Sequence, residues 1–352
     1  EIYSMNKNLK IGLISDIHED IKALERYLKY IQNSDIDIGV YLGDSVSRNC
    51  DDDTNYFWKL ASKADKPIYY TVGNHDVGID EYKSIGCEKI YDTYIYPMVD
   101  NKYLDINNTN NGKCYYYKDF DNYKIRLISI FEYEGTRDAD LTLGFEHRRY
   151  ISSEQLLWFA KTLYNTPLDY SIIVTMHQIP ALKPNFKECN FCANVRETNL
   201  EEDLSDGYGY LQLAMLGNPL GDIINAFKNG LQIKNEYSVK EEYKKYLENP
   251  TIDFDFSDRP KGKFICFLTG HLHCAFITTS MEYKDQLAIT VPAASTGAFE
   301  RQNDDIKPIS ENDDNFYILE INTKNKNISI DKIGTAITSS GVLRDRINLK
   351  YE

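Results

Sequence analysis

Apolar residues recur along this chain with two periods. "LKIGLIS" (Leu9 to Ser15), "IDIGVYLG" (Ile36 to Gly43), "KPIYYTVG" (Lys66 to Gly73) and "YSIIVTMH" (Tyr170 to His177) are short, nearly continuous apolar runs, the pattern of buried strands. Between the first two, Ile21, Leu24, Leu28 and Ile31 fall three and four apart, as on one helix face. "KCYYYKDFDNYKIRLISI" (Lys113 to Ile130) predicts a hairpin turning near Asp121 and Asn122. Ser152 and Gln155 stand at capping-box spacing ahead of a helix running to Leu163.

From Gln178 to about Gly262 the periodicity weakens, leaving a helix expected near Leu220 to Phe227 and a polar helix near Val239 to Leu247. A stretch of that length between strong strands reads as an insertion over 178–262, the kind of segment that serves as a lid or binding loop. Strands resume with "KFICFLTGH", "AFITTSM", "LAITVPAA" and the hairpin "NFYILEINTKNKNISIDKIG", which makes residues 263–335 β-rich. Alternation first and a run of strands last predict one α/β domain over residues 1–352, with two sheets facing each other.

Composition narrows the function. A net charge of −14 and an isoelectric point near 5.0 argue against long nucleic acids as partners, since phosphate backbones are held by lysine and arginine. An acidic protein still handles phosphate when metal ions supply the positive charge. Many of the 28 tyrosines are expected at half-buried positions on the sheets. Seven cysteines with one close pair, Cys189 and Cys192, do not form a disulfide framework, and two thiols at that spacing lack the further ligands a zinc knuckle needs. No stretch approaches the ~20 apolar residues of a membrane span. The first residues, "EIYSM", carry no signal-peptide pattern and read either as a remnant of added sequence or as the cut edge of a longer polypeptide, which leaves room for a removed signal. A cytoplasmic setting is the default, with secretion or attachment to a phage tail compatible with that edge. The sequence carries no signature of oligomeric state.

The chemistry is written where the strands end. "IGLIS" exits into Asp16-Ile17-His18, "IGVYLG" into Asp44, "IYYTVG" into Asn74-His75, "SIIVTM" into His177, and "FICFLTG" into His271-Leu272-His273. Five of the six histidines therefore sit at strand exits, where α/β sheets bind ligands. A lone histidine there is usually a satisfied polar residue, and a lone Gly-Asp is usually a turn. Five such exits in one chain form a constellation. Carboxylates, an amide and imidazoles suit manganese, iron or zinc rather than calcium. D-x-H and H-x-H place two side chains on one face of an extended segment. Asp44 is the natural bridge between two cations, and two cations ~3.5–4 Å apart can share a hydroxide and hold a phosphate for in-line attack.

The order D-x-H, G-D, G-N-H-D, a lone H, then G-H-x-H, carried by Asp16 and His18, Gly43 and Asp44, Gly73 to Asp76, His177, and Gly270 to His273, resembles the calcineurin-like metallophosphoesterase superfamily. The resemblance implies two facing mixed β-sheets flanked by helices, a four-layer αββα fold. It implies two metal ions (manganese, iron or zinc), one held by Asp16, His18, Asp44 and His273, the other by Asp44, Asn74, His177 and His271. His75 would be the histidine that faces the phosphate and assists the leaving oxygen. Asn74 would contact both metal and phosphate, and Asp76 would orient its neighbours. The phosphoprotein-phosphatase branch has G-D-x-x-D-R-G, whereas this chain has Gly43-Asp44-Ser45-Val46-Ser47-Arg48-Asn49. Ser47 replaces the aspartate that would pair with the catalytic histidine, so that branch is disfavoured, while Arg48 remains a candidate substrate contact. A looser likeness of residues 115–180 points to bacterial and bacteriophage phosphodiesterases.

The expected activity is metal-dependent hydrolysis of a small-molecule or polymer-bound phosphate ester, a phosphodiesterase using a metal-bridging hydroxide. The competing readings are a phosphomonoesterase acting on nucleotides or phosphometabolites, and a non-catalytic phage-tail or cell-surface binding module. His147 in "GFEHRRY", the rings of "GYGY" (Gly207 to Tyr210) and the run "KEEYKK" are read as a loop histidine, packing residues and a solvated helix face.

Overall fold

Two six-stranded mixed sheets organise the chain. The structure is a computed structural model that describes residues 7–47, 56–78, 86–136, 148–180, 213–273, 276–279, 282–294, 314–334 and 346–351. One sheet runs β14 (Arg346–Lys350), β13 (Asn327–Gly334), β12 (Asn315–Asn322), β1 (Leu9–Ile14), β2 (Ile38–Tyr41), β3 (Ile68–Tyr70). The other runs β10 (Phe276–Thr279), β11 (Leu287–Thr290), β9 (Phe264–Thr269), β6 (Ser171–Thr175), β5 (Ile125–Ser129), β4 (Tyr116–Phe120). A separate two-stranded ribbon pairs β7 (Gln232–Glu236) with β8 (Thr251–Asp255).

Parallel pairing sets where the site will be. β1, β2 and β3 run in parallel, and so do β5, β6 and β9. Each group therefore presents its carboxyl ends at one edge of its sheet. The sheets meet through alternating side chains: Ile173 joins the core built on the first sheet, while Ile172 and Val174 join a second core under the helices Ser153–Tyr164 and Pro219–Asn229. Period-two alternation on a strand buried on both faces produces this split. Near the site edge, Thr71 Oγ1 bonds across to Ser129 Oγ (3.1 Å) and Thr175 Oγ1 (2.9 Å).

The helix Ile21–Gln32 starts at Asp20, whose side chain accepts from Ala23 N at 3.0 Å, and buries Leu24, Tyr27, Leu28 and Ile31. Each of those large side chains contributes roughly 1.5–3 kcal/mol by leaving water. The hairpin expected at Asp121–Asn122 is β4–β5.

Three details depart from expectation. Ser152 caps its helix by accepting from Gln155 N, but the Gln155 carboxamide closes on the Phe131 backbone instead of the cap. Ser152 N is met by Glu134, so the capping box is half made. The polar helix expected near Val239 to Leu247 is a single 3-10 turn, Glu241–Tyr243. It is bracketed by the β7–β8 ribbon, which buries one residue of each strand, Ile233 and Ile252, and so shows almost no pattern in the sequence. β14 likewise escaped the sequence reading. Among the described residues, Cys87, Cys114 and Cys266 are free thiols, and no helix is long and apolar enough to cross a membrane. Arg48, His147, Gly207 to Tyr210, Cys189 and Cys192 lie outside the described residues.

Candidate metal centre

Five strand exits converge on one cluster. β1, β2 and β3 deliver Asp16 and His18, Asp44, then Asn74 and His75 from the first sheet. β6 and β9 deliver His177, then His271 and His273 from the second. The backbone turns sharply as it leaves the strands: Asp16, His18, Asp44, His271 and His273 all have positive φ, between 43° and 68°. Left-handed backbone at a non-glycine residue is costly and collects at functional sites. Two of the glycines here act differently from one another. Gly43 takes φ +98°, a turn that favours glycine. Gly73 has an ordinary φ of −99°, and is needed because Asp44 lies against it: a Cβ there would stand 2.5 Å from Asp44 N and 2.9 Å from its Cγ.

The site loops are held from beneath. The Asp76 carboxylate is buried and accepts from Gly73 N (2.8 Å), Asp44 N (2.9 Å), Ser45 N (2.9 Å) and Ser45 Oγ (3.0 Å). Burial and the Asp44 charge push its pKa up to about 6 against those bonds. Ser45 Oγ also accepts from Tyr70 Oη (2.8 Å), and Tyr41 Oη accepts from Ile17 N (3.3 Å). The Tyr41 and Tyr70 rings stack with centroids 4.9 Å apart, so one aromatic pair braces two loops.

Three groups of side chains could each hold an ion, with candidate ligand atoms within 4.8 Å of one another: Asp16, His18 and His273; Asp44, His177 and His271; and His18, Asp44 and His75. His273 Nε2 lies 3.3 Å from Asp16 Oδ1 and 3.0 Å from His18 Nε2. His177 Nε2 lies 3.1 Å from Asp44 Oδ2, and Asn74 Oδ1 lies 3.0 Å from His271 Nδ1. Asp44 thus stands between the two outer groups.

The donor chemistry fits cations. His177 Nδ1 donates to the Leu42 carbonyl at 2.6 Å, so in the neutral ring the Nε2 lone pair faces a carboxylate oxygen. That opposition is relieved by a proton or a metal ion. Although burial works against its charge, Asp44 and Asp16 raise the His177 pKa to about 10. Burial, with His273 and His75 nearby, holds His18 down to about 4 against the pull of the carboxylates. Among the described residues, Asp16 Oδ1, Asp44 Oδ2 and His177 Nε2 are buried without a hydrogen-bond partner. Buried oxygens and nitrogens without hydrogen-bond partners, aimed at one space, form a donor set that a cation satisfies.

His75 is placed apart. Its Nδ1 donates to the Ser47 carbonyl at 2.7 Å, which leaves Nε2 directed into the site, 3.9 Å from Asp44 Oδ2. The main chain of residue 47 thus orients the imidazole where the side chain, a serine, does not.

One buried group was missed in the sequence: Glu132, just past β5, which accepts from the backbone of His177. The same signal would have found it, because "LISIFE" is another strand exit ending in a carboxylate.

The fold and this cluster of carboxylates and imidazoles define the frame of a metal-dependent phosphoesterase. The chain belongs to the calcineurin-like phosphoesterase family, whose model matches residues 9–211, and it is a metal-dependent phosphoric ester hydrolase. Its fold is similar to that of a dimetal phosphatase from Danio rerio, with a TM-score of 0.56 and 10% identity over 98% of this chain and 99% of that one. A purple acid phosphatase from yellow lupin (Lupinus luteus) seeds is similar over 99% of this chain and 55% of its own, with a TM-score of 0.48 and 13% identity. At 10% identity the likeness to the Danio rerio protein is one of fold. No curated protein matches the chain by sequence.

Proposed function

We infer that the protein is a phosphodiesterase that works with two metal ions. Asp16, His18, Asp44 and His273 would hold one, and Asp44, Asn74, His177 and His271 the other; manganese, iron or zinc suits this donor set. The observation that carries the reading is the convergence of ligand atoms from both sheets: Asp16, His18 and His273 form one group, Asp44, His177 and His271 another, and Asp44 also groups with His18 of the first. When bound, such ions supply Lewis-acid charge to the phosphoryl oxygens and lower the pKa of the attacking water.

The chain's own residues do the rest. Asp44 fixes the spacing of the two ligand groups, itself held by Asp76 through its backbone N–H. Asn74 offers its amide to the phosphate edge of the site. The Ser47 carbonyl keeps the proton on His75 Nδ1, so a second proton on Nε2 is the one available to the leaving oxygen. The insertion over 178–262 would set substrate choice, within one domain.

Charge alone does not separate the two ester classes: two divalent ions beside the Asp16 and Asp44 carboxylates leave roughly +2, a doubly protonated His75 adds one more, and either ester is accommodated. The assay decides between them. Metal-stripped protein is assayed on bis(p-nitrophenyl) phosphate and p-nitrophenyl phosphate, with and without added manganese. Metal-dependent turnover favouring the diester is expected. Faster turnover of the monoester would replace this reading with a phosphomonoesterase, and two bound ions without turnover of either would point to a binding module.

A further inference from the structure

Behind His177 lies an ion pair that touches none of the ligand atoms. Glu132 and Arg149 are 0% and 4% exposed, with Glu132 Oε1 and Arg149 Nη1 3.8 Å apart. Glu132 Oε2 accepts from His177 N (2.6 Å) and from Gln178 N (2.8 Å), and Arg149 Nη1 donates to the Ile179 carbonyl (2.6 Å). Two charged groups thereby grip three consecutive residues of main chain where β6 ends.

A buried ion pair is an expensive means of capping two amides, since desolvation commonly cancels its attraction. Burial alone pushes the Glu132 carboxyl up, and Arg149 with the two amides pulls it back. What the pair supplies is position. The His177 ring has one main-chain tether, its Nδ1 bond to Leu42, and its own backbone is held at the carbonyl by Gly270 N (2.9 Å) and at the N–H by Glu132. With Glu132 holding the backbone as well, Nε2 is fixed 3.1 Å from Asp44 Oδ2.

We propose that Glu132, with Arg149 as its counterion, is a positioning residue for His177 and so for the ion site built on Asp44, His177 and His271. The inference rests on the reading of His177 as a ligand. Groups that orient a ligand typically change metal affinity 10- to 100-fold when removed.

The test titrates metal-stripped protein with Mn2+ by calorimetry, reading stoichiometry and the affinity of each site, with thermal unfolding alongside. Three variants share a background without the buried cation: Arg149→Met, Glu132→Ala/Arg149→Met and Glu132→Gln/Arg149→Met. The alanine variant is expected to weaken one site 10- to 100-fold and leave the other within about threefold. The glutamine variant, whose amide oxygen can again accept both N–H groups, should return to the Arg149→Met affinity. Equal weakening of both sites, no weakening, or no rescue by glutamine would overturn the proposal. If the alanine variant does not fold, Glu132→Asp keeps the charge but draws it back by one methylene, and must show the same one-site loss. Wild-type protein that binds fewer than two ions would instead overturn the underlying reading of the site, whatever the variants do.

Discussion

Gly73→Ala tests whether the G-N-H-D turn works through close packing. The new Cβ would lie 2.5 Å from Asp44 N and 2.9 Å from Asp44 Cγ, with Oδ1 closer still. Carbon–heavy-atom contacts normally sit near 3.5 Å, so the Asp44 backbone and carboxylate must yield by about 1 Å. Overpacking of that kind costs about 1–3 kcal/mol of stability. The larger effect falls on function. A displacement of ~1 Å at a reacting centre costs about 100-fold in rate, and Asp44 belongs to two of the three candidate groups. The expected phenotype is a folded protein with about 100-fold lower metal-dependent kcat/KM on the diester and weaker binding of both ions. Gly112→Ala is the control. Gly112 has φ +86° and its nearest neighbour to a new Cβ is 3.8 Å away, so alanine there strains the backbone by about 1–2 kcal/mol and touches nothing in the site. Gly73→Ala with wild-type metal affinity and kcat/KM within threefold would refute the close-packing account.

Two further outcomes are expected. His75→Asn should lower kcat by 100-fold or more while both metal ions still bind, as read by metal analysis after gel filtration; loss of an ion would make His75 a ligand. In metal-free protein His177 is protonated below about pH 10, so ion binding must displace a proton. Apparent affinity of the ion held by His177 should rise about tenfold per pH unit between pH 7 and 9. Because His273, against the effect of burial, is also raised by the Asp16 carboxylate, at least one proton should be released per chain in calorimetry across buffers of different ionisation enthalpy. Because the folded pKa of His177 is raised above the ordinary 6.5, its contribution to the stability of the metal-free protein is complete below pH 6.5 and is lost as pH rises through about 10. A pH-independent affinity would contradict this account.

The strands that carry the site were legible because they are buried on both faces and so read as unbroken apolar runs. Their exits were legible because histidine is scarce here and strand ends are where an α/β sheet binds. The β7–β8 ribbon was not legible, since each strand buries one residue and leaves the rest to solvent. The role of Gly73 was readable only as a turn. Its real constraint is the contact with Asp44, well before it in the chain, which no local pattern encodes. The orientation of His75 by the Ser47 carbonyl was hidden for a similar reason: backbone groups are common to all residues, and a serine in place of aspartate reads as a lost partner. Glu132 stood at a strand exit like the others and was passed over because it is not a histidine.

Of the two outer ligand groups, neither is complete on one sheet. Asp16 and His18 come from the first and need His273 from the second; Asp44 comes from the first and needs His177 and His271 from the second. Within each outer group the first-sheet and second-sheet partners lie more than a hundred residues apart in sequence. On the proposed ligand assignment, an ion held by either group would not nucleate folding in the way it does in small zinc domains. Loading would follow assembly of the sandwich, and each ion would act as a rivet between the two halves. Pulling the sheets apart and releasing the metals would then be the same event.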